Sequence, residues 1–347
     1  MVGGFRRASV RSGIVLIVFS CVVMGAATMT THPVQLNVPK NWPPITYDLS
    51  RNPLTQEGIA LGRKLFHDPI LSRDSSISCA SCHLSYTAFS HVGHKLSHGI
   101  RDSIGTRNAP ALMNLAWGRS FMWDGAVNHL DMQPLAPLNH AAEMGESTQH
   151  VVFKLETSRM YRRSFFEAFG DSMMLGDRML KALAQFQLSL VSAGSKYDRM
   201  KEGVEVFTDQ EQNGYLIFQA HCNACHKEPL FTTADFANNG LPPDTLLRDG
   251  GRIRITHDPG DSLKFKIPTL RNIEYSFPYM HDGRFRRLNE VIAHYTEGVI
   301  GSATLAPELI KPIVLTSNQR TDLLAFLLTL SDREYVLHPE HAAPRNY

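Results

Sequence analysis

The chain has 347 residues, 43% hydrophobic and 20% charged, with a formal charge of +2. That length can hold two domain-sized cores. A near-neutral balance provides no basic surface for nucleic acid, and the composition is that of a globular protein, not a disordered one.

At the N-terminus, Arg6, Arg7 and Arg11 precede the uncharged run "SGIVLIVFSCVVMGAA", which ends in small residues. This is the pattern of a secretory signal peptide, read over residues 1–27. The run is shorter than the roughly 20 residues of a membrane span, so membrane contact is expected only through the export signal. "VFSC" around Cys21 does not have the small-residue context of a lipoprotein site. Removing the leader takes away three arginines and no acids, which moves the formal charge from +2 to −1. The mature chain is therefore expected in the periplasm.

Four further cysteines follow, and in an exported chain they would ordinarily suggest disulfides. Here they form "CASCH" (Cys79 to His83) and "CNACH" (Cys222 to His226). C-x-x-C-H is the signature of covalent c-type haem attachment. The two thiols add across the vinyl groups, and the adjacent histidine gives a ring nitrogen to iron. A thioredoxin-like C-x-x-C would want a βαβ context, and a zinc site would leave both histidines without a role. Two covalent haems are expected, one on Cys79, Cys82 and His83, the other on Cys222, Cys225 and His226.

The surrounding segments read as helices. "VVFKLETSRMYRRSFFEAFG" and "GDRMLKALAQFQLSLVSAG" carry apolar residues at helical spacing. "GSKYDRMKEGVEVF" is a polar stretch between helical segments and marks a domain boundary near residue 200. "TDQE" (Thr208 to Glu211) is a capping box ahead of "NGYLIFQAHCNACH", and "TSNQ" (Thr316 to Gln319) is another ahead of "LLAFLLTL". Sustained alternation is scarce, so little sheet is expected. The fold class is all-α, with an N-terminal haem domain over 28–200 and a C-terminal one over 201–347.

Two longer stretches echo each other. "RNAPALMNLAWGRSFMWDGAVNHLDMQPLAP" begins at Arg107, and "FKIPTLRNIEYSFPYMHDGRFRRLNEVIAHY" ends at Tyr295. Placing Pro110 on Pro268 pairs Leu112 with Leu270, Asn114 with Asn272, Met122 with Met280, Asp124 with Asp282 and Leu130 with Leu288, without a gap. The same register sets Pro137 opposite Tyr295. It suggests an internal duplication whose halves diverged at that position.

Together, the two C-x-x-C-H motifs, "FMWDG", "QPLAPLNHAAEM" and "KIPTLRN…PYMHDG" resemble the bacterial dihaem cytochrome c peroxidase and MauG superfamily, over roughly residues 50–330. The resemblance implies two cytochrome c-like domains, with hydrogen peroxide handled at the N-terminal haem and electrons relayed by the C-terminal one. It implies that Trp123 couples the two haems. Gln133 and Glu143 match the residues above the peroxidatic iron, where a carboxylate can shuttle a proton between peroxide oxygens and an amide can orient them. For the second axial ligand of the C-terminal haem, counting from "HDG" leads to Tyr295, as in MauG-type members. Met280 is the rival, because methionine fills this position in peroxidases. Pro137, in the equivalent place, cannot ligate iron through its side chain, so the first haem keeps an open site. The loop "SHVGHKLSHGIRDSIGTRN" carries His91, His94 and His98, and His98 lies nearest to where peroxidases place a resting-state ligand. The family also holds Ca²⁺ between its domains, which implies Asn108 with carbonyls from Ser276 and Pro278. Oxygen-only ligation suits that ion.

Three functions share these parts. One is MauG-type oxidation of Trp or Tyr residues in a partner protein. Another is a peroxidase fed by a small cytochrome c or cupredoxin. The third is a non-catalytic dihaem electron carrier. The pairing of Tyr295 with Pro137 favours the first.

Overall fold

Helices and loops account for almost the whole architecture. The computed structural model describes residues 1–4 and 30–345, so all but the first four residues of the 1–27 leader lie outside it. In chain order the helices are α1 (Gln56–His67), α2 (Cys79–Cys82), α3 (Leu135–Asn139), α4 (Thr148–Glu156), α5 (Arg159–Phe169) and α6 (Gly176–Ser189). They continue as α7 (Lys196–Lys201), α8 (Asp209–His221), α9 (Ile253–Thr256), α10 (Leu288–Ala293), α11 (Ser317–Leu328) and α12 (Arg333–Leu337). Among the described residues the only sheet is a two-residue antiparallel pair, Phe236–Ala237 with Phe265–Lys266. No helix there is long and apolar enough to cross a membrane.

Capping explains where several helices start. Thr208 and Thr316 both form capping boxes, with Glu211 opening α8 and Gln319 opening α11; each pairing satisfies two backbone donors that a helix N-terminus leaves free. The stretch 151–170 differs from its single periodic pattern. Ser158 accepts a hydrogen bond from the Tyr161 amide and starts a second helix, so the stretch splits into α4 and α5. The polar segment near residue 200 also gains structure. Ser195 and Asp198 cap α7, whose Tyr197 is buried in the second core.

Two main cores follow. The first packs α1, α4, α5 and α6 around Leu65, Phe89, Val151, Phe165 and Phe186. The second packs α8, α10 and α11 around Phe218, Phe231, Ile292 and Phe326. In each, a glycine lets one helix press directly on its neighbour's backbone. A Cβ on Gly62 of α1 would stand 1.9 Å from the Ala182 carbonyl oxygen of α6, and one on Gly214 of α8 would stand 1.9 Å from that of Asp322 in α11. The chain end then returns to the first core. Tyr335 and Val336 of α12 are buried there, the Tyr335 hydroxyl donates to the Leu112 carbonyl, and Arg63 Nε donates to the Ala342 carbonyl at 2.7 Å.

The echoing stretches carry matching backbone geometry. Asn114 and Asn272 both adopt left-handed conformations, with φ of 55° and 56°. Met122 and Met280 do likewise, with φ of 70° and 73°. Single bridges close both turns, Phe121 to Val127 and Tyr279 to Phe285.

Candidate functional site

A cavity of about 820 Å³ lies between the two cores. Cys82 and His83 line it from one motif, and Cys222, Cys225 and His226 from the other. Cys79 stands just behind, packed against the first core. All four thiols are free, and among the described residues no group of three His, Cys, Asp or Glu side chains forms a metal cage. Burial pushes the Cys79 and Cys222 thiols up to about 12, so neither is a thiolate poised for disulfide exchange.

Each motif histidine is held the same way. His83 Nδ1 lies 2.6 Å from the Phe89 carbonyl oxygen, and His226 Nδ1 lies 3.1 Å from that of Pro268. A carbonyl acceptor fixes the proton on Nδ1 and leaves Nε2 with its lone pair for iron. Burial lowers both pKa values, that of His226 to about 4, against the opposing pull of these carbonyls. Both rings are therefore neutral, the protonation state a haem ligand needs. Two half-buried neutral imidazoles, each beside a pair of free thiols on one cavity, fit two covalent haems.

On the first side, Gln133, Pro137 and Glu143 all line the cavity. Gln133 Nε2 approaches Met122 Sδ at 3.6 Å. Burial raises the Glu143 carboxyl, with the His140 ring, 3.8 Å away, pulling it partly back. A carboxyl raised in this way holds and releases a proton nearer neutrality than an ordinary one. The loop before it clamps its backbone: Ile100 N donates to the Glu143 carbonyl at 2.8 Å, and a Cβ on Gly99 would stand 2.5 Å from Glu143 Cα.

Tyr295 and Met280 line the second side together. Tyr295 sits in a π-helical turn, His294–Gly298, that ends α10; such turns are frequent at functional sites. Its phenol is pushed up to about 12, chiefly by burial and against the Asn239 amide. Asn239 Nδ2 lies 3.4 Å from Tyr295 Oη and 3.5 Å from Met280 Sδ, so one amide positions both candidate ligands. Sequence reading missed Asn239, whose signal is only an ordinary Asn-Asn-Gly turn.

Trp123 also lines the cavity, and its Nε1 donates to the Asn108 carbonyl at 2.8 Å. The Asn108 amide in turn donates to the His281 carbonyl at 2.7 Å. His281 occupies the position equivalent to Trp123, and its ring stacks on Phe265 at 3.6 Å. One residue, Asn108, thus ties the two equivalent positions together through its own N–H and C=O. Arg107 secures the junction with Asp124 on one side (2.6 Å) and a two-pronged bond to Asp249 on the other (2.6 and 2.9 Å). Nothing in the motif spacing had pointed to Asp249.

Asn108, Ser276 and Pro278 share the cavity wall, which a calcium ion held by all three would require. The Asn108 amide nitrogen donates to the Lys95 carbonyl at 3.0 Å, which points its chemistry toward presenting the side-chain oxygen elsewhere. His98 does not line the cavity; its ring nitrogens face His94 and Asp102.

Fold and cavity together define an oxidoreductase built around two covalent c-type haems. The profile of the di-haem cytochrome c peroxidase family matches residues 56–206. The methylamine utilization protein MauG of Methylorubrum extorquens is 36% identical over 80% of this chain and 79% of its own. The cytochrome c551 peroxidase of Nitrosomonas europaea is 34% identical over 78% and 79%. A crystal structure of a MauG-like protein associated with microbial copper homeostasis superposes with a TM-score of 0.81, at 33% identity, over 90% of this chain and 99% of that one. The chain belongs to the dihaem cytochrome c peroxidase and MauG family.

Proposed function

We propose that this protein is a periplasmic MauG-type enzyme that uses hydrogen peroxide to withdraw electrons from Trp or Tyr side chains of a partner protein. The observation that carries this reading is the pair of residues at equivalent register positions, Pro137 and Tyr295, that line the same cavity as His83 and His226. The shared left-handed turns support an internal duplication of two haem domains, 28–200 and 201–347, with 332–342 folded back onto the first.

His83 and His226 would hold the two irons, and Tyr295 would supply the second ligand at His226. Met280 serves better as scaffold, since Met122 repeats its backbone conformation and its contact with an amide. When bound, the haems supply redox-active iron. Glu143 takes the proton from one peroxide oxygen and returns it to the other, which leaves as water. Gln133 orients the peroxide by hydrogen bonds, and Pro137 leaves that space unblocked. Trp123, on the wall shared by both motifs, divides one long electron transfer into two shorter ones. A Ca²⁺ ion at Asn108, Ser276 and Pro278 would brace the junction.

The test is to add peroxide to the ferric holoprotein and follow its spectrum. A long-lived two-electron-oxidised protein formed without pre-reduction supports the reading. A requirement for one-electron pre-reduction would instead make it a peroxidase drawing on a small cytochrome c or cupredoxin, a reading favoured by its similarity to the Nitrosomonas europaea peroxidase. Absence of any reaction with peroxide would leave electron transfer alone.

A further inference from the structure

The peroxide chemistry leaves the loop histidines unused. The ring centroids of His91 and His94 lie 4.7 Å apart, those of His94 and His98 4.2 Å, and those of His91 and His98 6.3 Å. His94 Nδ1 and His98 Nε2 are 3.1 Å apart, and the other nitrogen of His98 lies 2.8 Å from Asp102 Oδ1. His91 is only 9% exposed, yet its Nδ1 is buried without a hydrogen-bond partner. A proton shared between His94 and His98 accounts for their contact. It does not account for the orphaned His91 nitrogen, a buried polar group without the partner that such groups almost always have.

We propose that His91, His94 and His98 form a binding site for one divalent transition-metal ion of the copper–zinc class, with Asp102 orienting His98 from the far side of its ring. The spacing fits. Two metal–nitrogen bonds of about 2.0–2.1 Å place their nitrogens about 3.3 Å apart at a tetrahedral angle and about 2.9 Å apart at a right angle. The His94–His98 separation falls between these. Imidazoles sharing one ion have ring centroids about 5 Å apart, inside the observed range. Since no three such groups are already fully converged among the described residues, the His91 ring must turn its Nδ1 toward the pair when the ion binds. Exposed His94 provides the way in. Imidazole donors favour copper and zinc over the harder divalent ions, and a carboxylate on the distal nitrogen is the common support for a metal-bound histidine.

The site adjoins the first haem pocket without belonging to it. The His98 carbonyl lies 3.3 Å from Cys82 Sγ, and the next two residues, Gly99 and Ile100, are the ones packed on Glu143. An ion there would stiffen the loop behind the peroxide carboxylate.

Titration of the holoprotein with ZnCl₂, followed by calorimetry and by metal analysis after dialysis, tests this. One equivalent should bind, with proton release. Binding should vanish in the His94→Ala/His98→Ala double variant and weaken about 10–100-fold in Asp102→Asn. Unchanged haem spectra would show that these variants fold. Because a variant can fail to fold, Cu²⁺ bound to the wild-type protein gives a second readout: its EPR spectrum should show coupling to at least two imidazole nitrogens. No saturable binding, undiminished binding in the folded double variant, or an oxygen-only copper spectrum would each overturn the proposal.

Discussion

The two sides of the cavity share a scaffold and differ in the groups they present to it. Both place an asparagine and a methionine in left-handed turns, tie their motif histidine to backbone carbonyls, and set an amide beside the methionine sulfur. Only the first side adds a carboxyl raised by burial, and only the second presents a phenol. Parts that must fold are thus common to both, whereas the parts that would decide the chemistry are unlike residues: Pro137 and Tyr295 at one register position, and Glu143 just past the end of the shared stretch. In the proposed reading, divergence at two or three positions would give one haem a substrate site and the other a closed shell.

The sharpest way to break this contrast is Glu143→Gln, which keeps the shape and removes the proton carrier. Peroxide-driven turnover should fall about 10²–10⁴-fold, measured by stopped-flow mixing, with the absorption of the second haem unchanged. A loss confined to the second haem would invert the assignment of roles.

Next in size is the anchor of the second core. Arg271, 0% exposed, grips Asp198 with bonds of 2.8 and 2.7 Å and stacks on the Trp42 ring at 4.6 Å. Arg271→Leu should cost about 3–5 kcal/mol in chemical denaturation, because it strands a buried carboxylate. Burial alone would raise the Asp198 carboxyl, but the Arg271 and Ser195 contacts outweigh it and hold it below the usual range. Its contribution is therefore complete above the unfolded carboxyl pKa of about 3.9 and is lost as the pH falls through the depressed native value. The variant should lose that acid limb.

Tyr295→Met should raise the reduction potential of the second haem by on the order of 0.1 V, within the roughly 0.8 V that axial ligands span, while the first haem stays put. Spectroelectrochemistry reads both. No change would return the ligand role to Met280. The smallest and most symmetrical test is Gly62→Ala against Gly214→Ala. Each new methyl meets a carbonyl oxygen of the facing helix, so each should cost about 1–3 kcal/mol, in matched amounts if the halves pack alike.

What could be seen in the sequence was what repeats or what is chemically rare. The C-x-x-C-H motifs, the capping boxes at Thr208 and Thr316 and the ungapped register that pairs Pro110 with Pro268 each combine residue type with spacing, and His83, His226, Pro137 and Tyr295 line one cavity. The break between α4 and α5 was hidden because Ser158 interrupts no apolar period; its hydroxyl competes for the backbone locally. Asn239, Asp249 and the buried setting of Asp198 were hidden for another reason. Their roles exist only through partners tens of residues away, Tyr295, Arg107 and Arg271, and no local pattern encodes such a meeting.

The return of α12 to the first core has a consequence for how the molecule is made. Tyr335 closes over Leu112 across 223 residues of chain, so the domain synthesised first is finished by a segment synthesised after the second core. Contacts this distant form late. In the proposed reading, Cys79 and Cys82 would meet their haem in a half that this segment has not yet closed. Removing residues 332–347, which takes away Tyr335, should harm assembly of the N-terminal haem, the one farther away along the chain.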